Sequence, residues 1–290
     1  MTPAEERQLA MNYMGLLAWP TMLLFAALVT AYTYVIVAVV NGSLPLLAGT
    51  AINSWLAFWF YTIHHEANHG NISGQRKSLR WVDLAMGTVA SIPLHLNFSA
   101  YVPLHLQHHA HTNVPGKDPD FYLSGPGKGL IPRWLVVTVI KNVGSVPGLA
   151  QLALKVLPKP LAMGMKAFMK NRPAIMLYNR ACLAVLFASF FIGQGTHFFF
   201  LWWLPAQFSQ LILQMWFSWL PHYDFSQTSR YLNTRIRGFF ASHLLLLGQD
   251  HHLIHHMYPR VPFYKLRPLF RDIRPSLDAN NAVIIGVPGA

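Results

Sequence analysis

The sequence has few residues that could build thiol chemistry or acidic sites. Cys182 is the only cysteine among 290 residues, so one chain cannot form a disulfide, a cysteine-based zinc site or an iron–sulfur cluster by itself. Asp and Glu number 10 against 22 Lys and Arg, and charged residues make up only 11% of the chain. No glycine-rich dinucleotide fingerprint follows a strand pattern, which excludes a Rossmann-type cofactor site.

Apolar residues are abundant, at 53% of the sequence, and this fraction is typical of membrane proteins. A helix needs roughly 20 apolar residues to cross a bilayer, and four stretches are long enough. They predict four spans, at about residues 15–40, 44–63, 175–194 and 197–220. Because a short connection joins the members of each pair, the prediction is two transmembrane helical hairpins.

Positive charges give these hairpins a direction. Lys and Arg cluster at 76–80, 117–172 and 230–274, and none lies in the two short connections. By the positive-inside rule, the connections face outward, and residues 64–174 and 221–290 lie on the cytoplasmic side. The N-terminus lacks the basic region of a cleaved signal peptide. We therefore expect an integral protein of a bacterial-type inner membrane.

The net charge of +12 raises the possibility of a nucleic-acid partner. The basic residues flank the predicted spans, however, and no aromatic-basic RNA or DNA motif is present, so attraction to anionic lipid headgroups is the simpler explanation. Residues 82–104 are apolar but carry Asp83 and Pro93, which predicts an interfacial or half-inserted segment. The basic interval 125–173 predicts helices that lie on the headgroups. The overall prediction is one all-α, membrane-embedded domain over residues 1–290, with a cytoplasmic helical cap.

Histidine is the enriched residue, with 15 copies that are mostly clustered. Residues 63–73 read "IHHEANHGNIS", and the segment from His65 to His69 has the H-E-x-x-H form of zinc metalloproteases. A membrane zinc protease with Glu66 as general base is therefore one hypothesis. On a helix, however, Glu66 is offset by about 100° from His65, which favours a position away from a shared metal.

Two further clusters have the same spacing, H-x-x-H-H, in "HLQHHAH" at 105–111 and "HHLIHH" at 251–256. Positions i, i+3 and i+4 lie on one helix face, so each cluster is predicted to aim three imidazoles at one point. With the first pair and His222 in "LPHYDF", nine candidate ligands result, too many for one zinc with three protein ligands. Two metals with four to five imidazoles each would use them all, and neutral nitrogen donors suit iron, copper or zinc.

The order H-x3-H, H-x2-H-H, H-x2-H-H between two hairpins resembles the membrane fatty-acid desaturase and hydroxylase superfamily. The stretches "HLQHHAHTNVPGKDPD", "LPHYDF", "RYLNTRI" and "LLLGQDHHLIHHMYPRVPFYKL" look most like its non-haem β-carotene hydroxylase branch. The resemblance implies two iron ions, O2 as co-substrate and an external electron donor such as a ferredoxin-like protein. It also implies that nine residues are catalytic iron ligands: His65, His69, His105, His108, His109, His222, His252, His255 and His256.

The activity implied by the resemblance is O2-dependent oxidation of a long lipid hydrocarbon, with hydroxylation of a carotenoid ring as the first choice. Fatty-acyl desaturation at the same site is the alternative, because both reactions begin by abstracting a hydrogen atom. A metal-storing or transporting protein is a further hypothesis, although intramembrane charges are sparse for a transporter.

Residues around the three histidine motifs, here called the histidine boxes, are candidates for supporting roles. Metal-bound imidazoles usually donate their second N–H to a carboxylate or carbonyl. Six residues near the boxes are predicted as possible outer partners: His111, Asp118, Asp120, Asp224, Asp250 and His251. His64 offers a second pairing with His69, but positions i and i+5 face one another less well.

Overall fold

The computed structural model describes residues 1–121, 130–157 and 159–287. Within them the chain is helical almost throughout, in agreement with the predicted all-α class, and its two short strands, β1 (Ile236–Arg237) and β2 (Ile284–Ile285), pair in parallel. The α-helices in chain order are α1 (Pro3–Met11), α2 (Trp19–Val40), α3 (Leu46–His69), α4 (Arg80–Leu94), α5 (Phe98–His111), α6 (Leu130–Gly144), α7 (Pro147–Val156), α8 (Lys159–Asn171), α9 (Pro173–Phe191), α10 (Gly195–Phe198), α11 (Leu204–Leu213), α12 (Ser242–Leu245), α13 (His252–Met257) and α14 (Phe263–Ala279).

Three helices in the described part of the chain, α2, α3 and α9, are long and apolar enough to cross a membrane. They correspond to the predicted spans at 15–40, 44–63 and 175–194. Helix α3 continues beyond its predicted end and stops at Gly70, whose left-handed backbone (φ 67°) caps it. A side chain would disfavour that conformation, so the glycine sets the end of the helix. As a result, His65 and His69 lie on the last turns of a spanning helix.

The fourth predicted span, 197–220, is less regular. Residues 195–219 form four consecutive helical segments: α10, a π-helical segment at Phe199–Trp203, α11 and a second π-helical segment at Gln214–Trp219. Within the first π-helical segment, the carbonyl of Leu201 accepts hydrogen bonds from Tyr32 Oη and Asn53 Nδ2, both at 2.9 Å. These bonds tie the region to α2 and α3. A fourth membrane crossing stays a prediction.

The segment between α3 and the basic interval reverses the chain twice. Asp83 Oδ1 accepts hydrogen bonds from the backbone amides of Ile72 and Ser73, at 3.1 and 3.3 Å, which fixes the loop after α3. At His95 the backbone takes a left-handed conformation (φ 51°), which ends α4. The segment 82–104 therefore lies in two helices, α4 and α5, and its interfacial or half-inserted placement stays a prediction. The second of them, α5, carries the second histidine cluster back to the end of α3.

The predicted headgroup helices correspond to α6, α7 and α8, while residues 125–129 and 158 of that prediction lie outside the described residues. Exposed apolar side chains such as Val156 and Met163 occur with exposed lysines such as Lys155 and Lys166. That mixture is expected of helices in contact with lipid headgroups.

The C-terminal part positions the third histidine cluster. A 3-10 turn (Gln249–His251) leads directly into α13, and Pro262 precedes α14. Five fully buried apolar residues form the core between α13 and α14: Leu253, Ile254, Leu266, Leu269 and Ile273. This packing leaves the histidines of α13 facing α3 and α5.

Helix α1 is attached to the same region through Glu6, which is fully buried. Its carboxylate accepts hydrogen bonds from Arg230 Nη2 (3.2 Å), Tyr231 Oη (3.0 Å), Ser276 Oγ (2.6 Å) and Tyr258 Oη. Burial acts to raise the pKa of Glu6, but the four hydrogen bonds outweigh it, and the net pKa is lowered. The ionised carboxylate thus joins α1 to α14 and to the segment that precedes β1.

Replacing Glu6 by alanine should destabilise the protein by about 2–3 kcal/mol, because a charged acceptor shared by four donors is lost. Glu5→Ala is the matched control: Glu5 is exposed and contacts only Thr2 in the helix cap, a contact worth about 1 kcal/mol or less. Thermal unfolding in detergent measures both variants. Because the folded pKa of Glu6 is lowered, its contribution should persist at neutral pH and disappear as the pH falls through that pKa. Equal losses for the two variants would contradict this role.

Candidate metal centre

Nine histidines form two adjacent groups with their ring nitrogens turned toward one another. In each group, one nitrogen per histidine lies within 4.8 Å of those of the others. The five-histidine group consists of His65, His69, His105, His109 and His255, and the four-histidine group of His108, His222, His252 and His256. These are the nine residues proposed from the sequence as ligands.

The prediction that each H-x-x-H-H cluster aims three imidazoles at one point is wrong. In α5, His105 and His109 belong to the five-histidine group, whereas His108 belongs to the other. In α13 the division is reversed, because His252 and His256 join the four-histidine group and His255 does not. The reason is angular: residues i and i+4 are about 40° apart around a helix, whereas i+3 is about 60° away on the opposite side of i. Each cluster therefore contributes to both groups.

The ring nitrogens of neighbouring imidazoles lie as close together as hydrogen-bonded atoms. In the five-histidine group, Nε2 of His105 lies 2.9 Å from that of His69 and 3.1 Å from that of His109. In the four-histidine group, Nε2 of His252 lies 3.0 Å from that of His222 and 3.0 Å from that of His256. Across the two groups, the ring centroids of His109 and His256 are 4.4 Å apart. The two groups therefore form one continuous histidine cluster.

Burial favours the neutral form of most of these rings. Burial lowers the pKa of His252 to about 3. Burial, followed by the neighbouring histidines, also holds four other pKa values well below the usual range, those of His105, His109, His222 and His255. A neutral imidazole has a free lone pair, which is the form that binds a metal.

The residues of the two groups fit metal ions. Both ring nitrogens of His65 and Nδ1 of His109 are buried without a hydrogen-bond partner in the described part of the chain. Unpaired buried polar atoms cost free energy, and a cation bound between the rings would engage those that face it. Neither group includes a carboxylate among the described residues. An all-nitrogen donor set suits iron, copper or zinc and disfavours magnesium and calcium.

Comparison with known proteins agrees with the three-box pattern. The family described as "Fatty acid desaturase" matches residues 41–288. The chain belongs to the fatty acid desaturase family. Two relatives from Haematococcus lacustris, "Beta-carotene ketolase" and "Beta-carotene 4-ketolase 3", are each 29% identical over 147 residues. The match covers 48% of this chain and 44% of each relative, which is less than half the length of those proteins.

These similarities confirm the superfamily predicted from the histidine boxes and support its carotenoid branch. Membership of this family, together with three helices that are long and apolar enough to cross a membrane, fits a membrane location.

The histidines of the cluster differ in the partners of the ring nitrogen that faces away from their group. Nδ1 of His108 donates to Oδ1 of Asp118 at 2.8 Å, and both side chains are buried. Burial acts to lower the pKa of His108, but its hydrogen bond to Asp118 and the nearby carboxylate charges outweigh burial, so its net pKa is raised. Nδ1 of His256 lies 3.3 Å from the hydroxyl of Thr112, which itself donates to the carbonyl of His108 at 2.8 Å. One carboxylate and one hydroxyl thus orient two rings of the four-histidine group.

The other predicted outer partners have different roles in the described part of the chain. Asp250 accepts hydrogen bonds from His251 (2.8 Å) and Ser242 (2.6 Å), neither of which belongs to the histidine groups. Asp224 is exposed, and Asp120 has its backbone amide, not its carboxylate, bonded to Asp118. Among the hydrogen bonds of the described residues, Asp118 is thus the only one of the four aspartates that is bonded to a proposed ligand.

Glu66 and His64 lie outside both groups. Glu66 is buried, and its Oε1 accepts hydrogen bonds from Asn71 Nδ2 (3.3 Å) and from the backbone amide of Phe263 (3.2 Å). This carboxylate therefore links the end of α3 to the start of α14. His64 is buried against Tyr61, with parallel rings whose centroids are 6.2 Å apart.

Three residues near the site were not predicted from the sequence. Besides Thr112, the hydroxyls of Tyr61 and Tyr101 lie 2.7 Å apart. Tyr101 stacks on His105, and Tyr61 lies against His65, with ring centroids 5.5 Å apart in each pair. Each tyrosine precedes its histidine by four residues. That i, i+4 spacing was a signal that could have identified both as supports for the ligand rings.

Asp118→Asn should lower the affinity of the protein for one of two metal ions by about 10- to 100-fold, because His108 loses the carboxylate that orients it. Asp224→Asn is the matched control, since Asp224 is exposed and its left-handed backbone (φ 67°) tolerates asparagine. Competition with a chelator, followed by metal analysis, measures both variants. If Asp118→Asn keeps both metals as tightly as Asp224→Asn does, Asp118 has no such role.

Proposed function

We propose that this protein is an integral-membrane di-iron oxygenase that oxidises an unactivated C–H bond of a long lipid hydrocarbon. The observation that carries this proposal is the pair of adjacent, largely buried histidine groups of five and four residues, which include no carboxylate among the described residues. Two iron ions, one in each group, would use all nine imidazoles. When bound, the irons supply the reductive activation of O2 that breaking such a bond requires.

The overall reaction fixes what else the enzyme needs. Hydroxylation converts C–H, O2, two electrons and two protons into C–OH and water. Since no dinucleotide fingerprint occurs in the sequence, we infer that the electrons come from a separate carrier, such as a ferredoxin-like protein. That carrier would dock on the basic face of the protein, on the cytoplasmic side of a bacterial-type inner membrane.

The protein's own residues would hold, orient and shield the reacting groups. The nine histidines would bind the irons, and Asp118 and Thr112 would fix the rings of His108 and His256 through their Nδ1 atoms. Tyr61 and Tyr101 cover one side of the five-histidine group with aromatic rings. Such a dry setting favours chemistry on a hydrocarbon and disfavours hydrolysis, which needs water at the site. Residues 197–220 would form a fourth membrane crossing and so complete the second of two hairpins.

Carotenoid ring hydroxylation is the first choice of reaction, because the histidine boxes resemble those of the β-carotene hydroxylases. The two ketolase relatives favour a second outcome, a ring ketone, which repeated oxidation of one carbon would produce. Fatty-acyl desaturation is the third candidate: it takes two hydrogens from neighbouring carbons and releases two waters. All three reactions share the first hydrogen abstraction, so the ligands alone do not separate them.

Glu66→Gln distinguishes the di-iron site from a zinc-protease site. The di-iron proposal predicts that this variant keeps most of its activity, because glutamine can still accept the hydrogen bonds from Asn71 and Phe263. His108→Ala and His255→Ala should each abolish O2-dependent lipid oxidation. Oxygen consumption with an electron donor and lipid substrate measures these effects. A zinc protease would instead lose its activity in Glu66→Gln and would work without oxygen.

Co-expression in a carotene-producing bacterium tests the substrate. Pigment analysis should reveal new hydroxylated or ketone-bearing carotenoids, and His108→Ala should restore the unmodified pigment. Unchanged carotenoids together with new double bonds in the acyl chains would contradict the carotenoid proposal and favour the desaturase.

A further inference from the structure

A small cavity adjoins the four-histidine group on the side of His252. Its walls include Gln249, Asp250, Arg235 and Trp216. The space open to the centre of a water-sized sphere is about 10 Å³. A single water molecule needs roughly 10–15 Å³ by this measure, so the cavity has the size of one water site.

His252 has an outer nitrogen that lacks a partner. Its Nε2 faces His222 and His256, at 3.0 Å from each, and is therefore the atom turned toward the centre of the group. Its Nδ1 is buried without a hydrogen-bond partner in the described part of the chain. In a ring that binds metal through Nε2, Nδ1 carries a proton and needs an acceptor. His108 and His256 have such acceptors in Asp118 and Thr112, whereas His252 has none among the described residues.

Gln249 lies near His252 in the sequence and also has buried polar atoms that lack a hydrogen-bond partner among the described residues. It lies in the 3-10 turn directly before α13, three residues before His252, and its side chain is only 3% exposed. Neither Nε2 nor Oε1 has a partner among the described residues. Leaving one buried polar atom unpaired costs about 1–3 kcal/mol, so a buried amide with both atoms unpaired indicates a missing polar ligand.

Two charged residues of the cavity wall, Asp250 and Arg235, already have contacts. Asp250 accepts hydrogen bonds from His251 and Ser242. Arg235 donates to the carbonyl of Tyr223 and lies over the ring of Phe225, 4.6 Å from its centroid. Among the described residues of the wall, the amide of Gln249, Nδ1 of His252 and Nε of Arg235 are buried without a partner.

We propose that one water molecule in this cavity joins Nδ1 of His252 to the side chain of Gln249. The water accepts from Nδ1–H and donates to Oε1 of Gln249. Gln249 is then a positioning residue for His252, as Asp118 is for His108. This inference rests on the proposed function, because it takes His252 as a metal ligand.

The first test is the affinity of the protein for ferrous iron, measured by competition with a chelator. Gln249→Leu should lower the affinity for one of the two irons by about 10-fold, because His252 loses its outer partner. Gln214→Leu is the matched control: Gln214 also has a buried, unpaired Oε1, but it does not line the cavity. If Gln249→Leu does not fold, Gln249→Met keeps the length of the side chain and should give the same loss. Affinities within twofold of wild type for the folded Gln249 variant would overturn the proposal.

The second test is direct observation. An experimental structure of the wild-type protein at about 2 Å should contain an ordered water within hydrogen-bond distance of Nδ1 of His252 and the amide of Gln249. Absence of that water from well-ordered density would overturn the inference. Failure of the proposed function has a different signature: the wild-type protein would bind no iron at the histidine groups, whatever the cavity contains.

Discussion

The structure depends on holding nine imidazoles close together in a largely buried site, with their ring nitrogens turned toward one another. Burial lowers the pKa values of the grouped histidines on α5, α13 and the turn with His222, except that of His108, and Nε2 atoms of neighbouring rings lie 2.9–3.1 Å apart. The cluster has little charge to stabilise it, because neither group contains a carboxylate in the described residues. The surrounding helices must therefore hold it together. The contacts of Glu6, Glu66 and Leu201 serve that purpose from outside the cluster.

The histidines of each H-x-x-H-H motif are divided between the two groups, so the positions of the two proposed metal sites depend on the same helices. Helices α5 and α13 each contribute histidines to both groups, so a rotation of either helix would disturb both at once. Only α3 and the turn with His222 serve a single group. If each group bound one metal, this arrangement would favour a fixed separation between the two, as the proposed chemistry requires. The outer contacts differ in kind, however, since Asp118 brings charge to one edge of the four-histidine group and Thr112 does not.

Much of this arrangement follows from the sequence, and the rest depends on distant contacts. Apolar length located α2, α3 and α9, and box spacing identified the residues that converge. Spacing could not assign His108 and His255 to opposite groups, because that depends on how α5 and α13 are turned relative to α3. The left-handed residue His95 and the π-helical segments follow from tertiary packing rather than from local propensity. Glu6 meets its partners across more than 220 residues of chain, and no local pattern predicts such a pairing.

X-ray absorption at the iron edge of purified wild-type protein, combined with metal analysis, tests the central claim most directly. The account predicts two irons per chain, each surrounded by four to five imidazole nitrogens without sulfur, and a second iron as a near neighbour. A single zinc per chain with three protein ligands would contradict it.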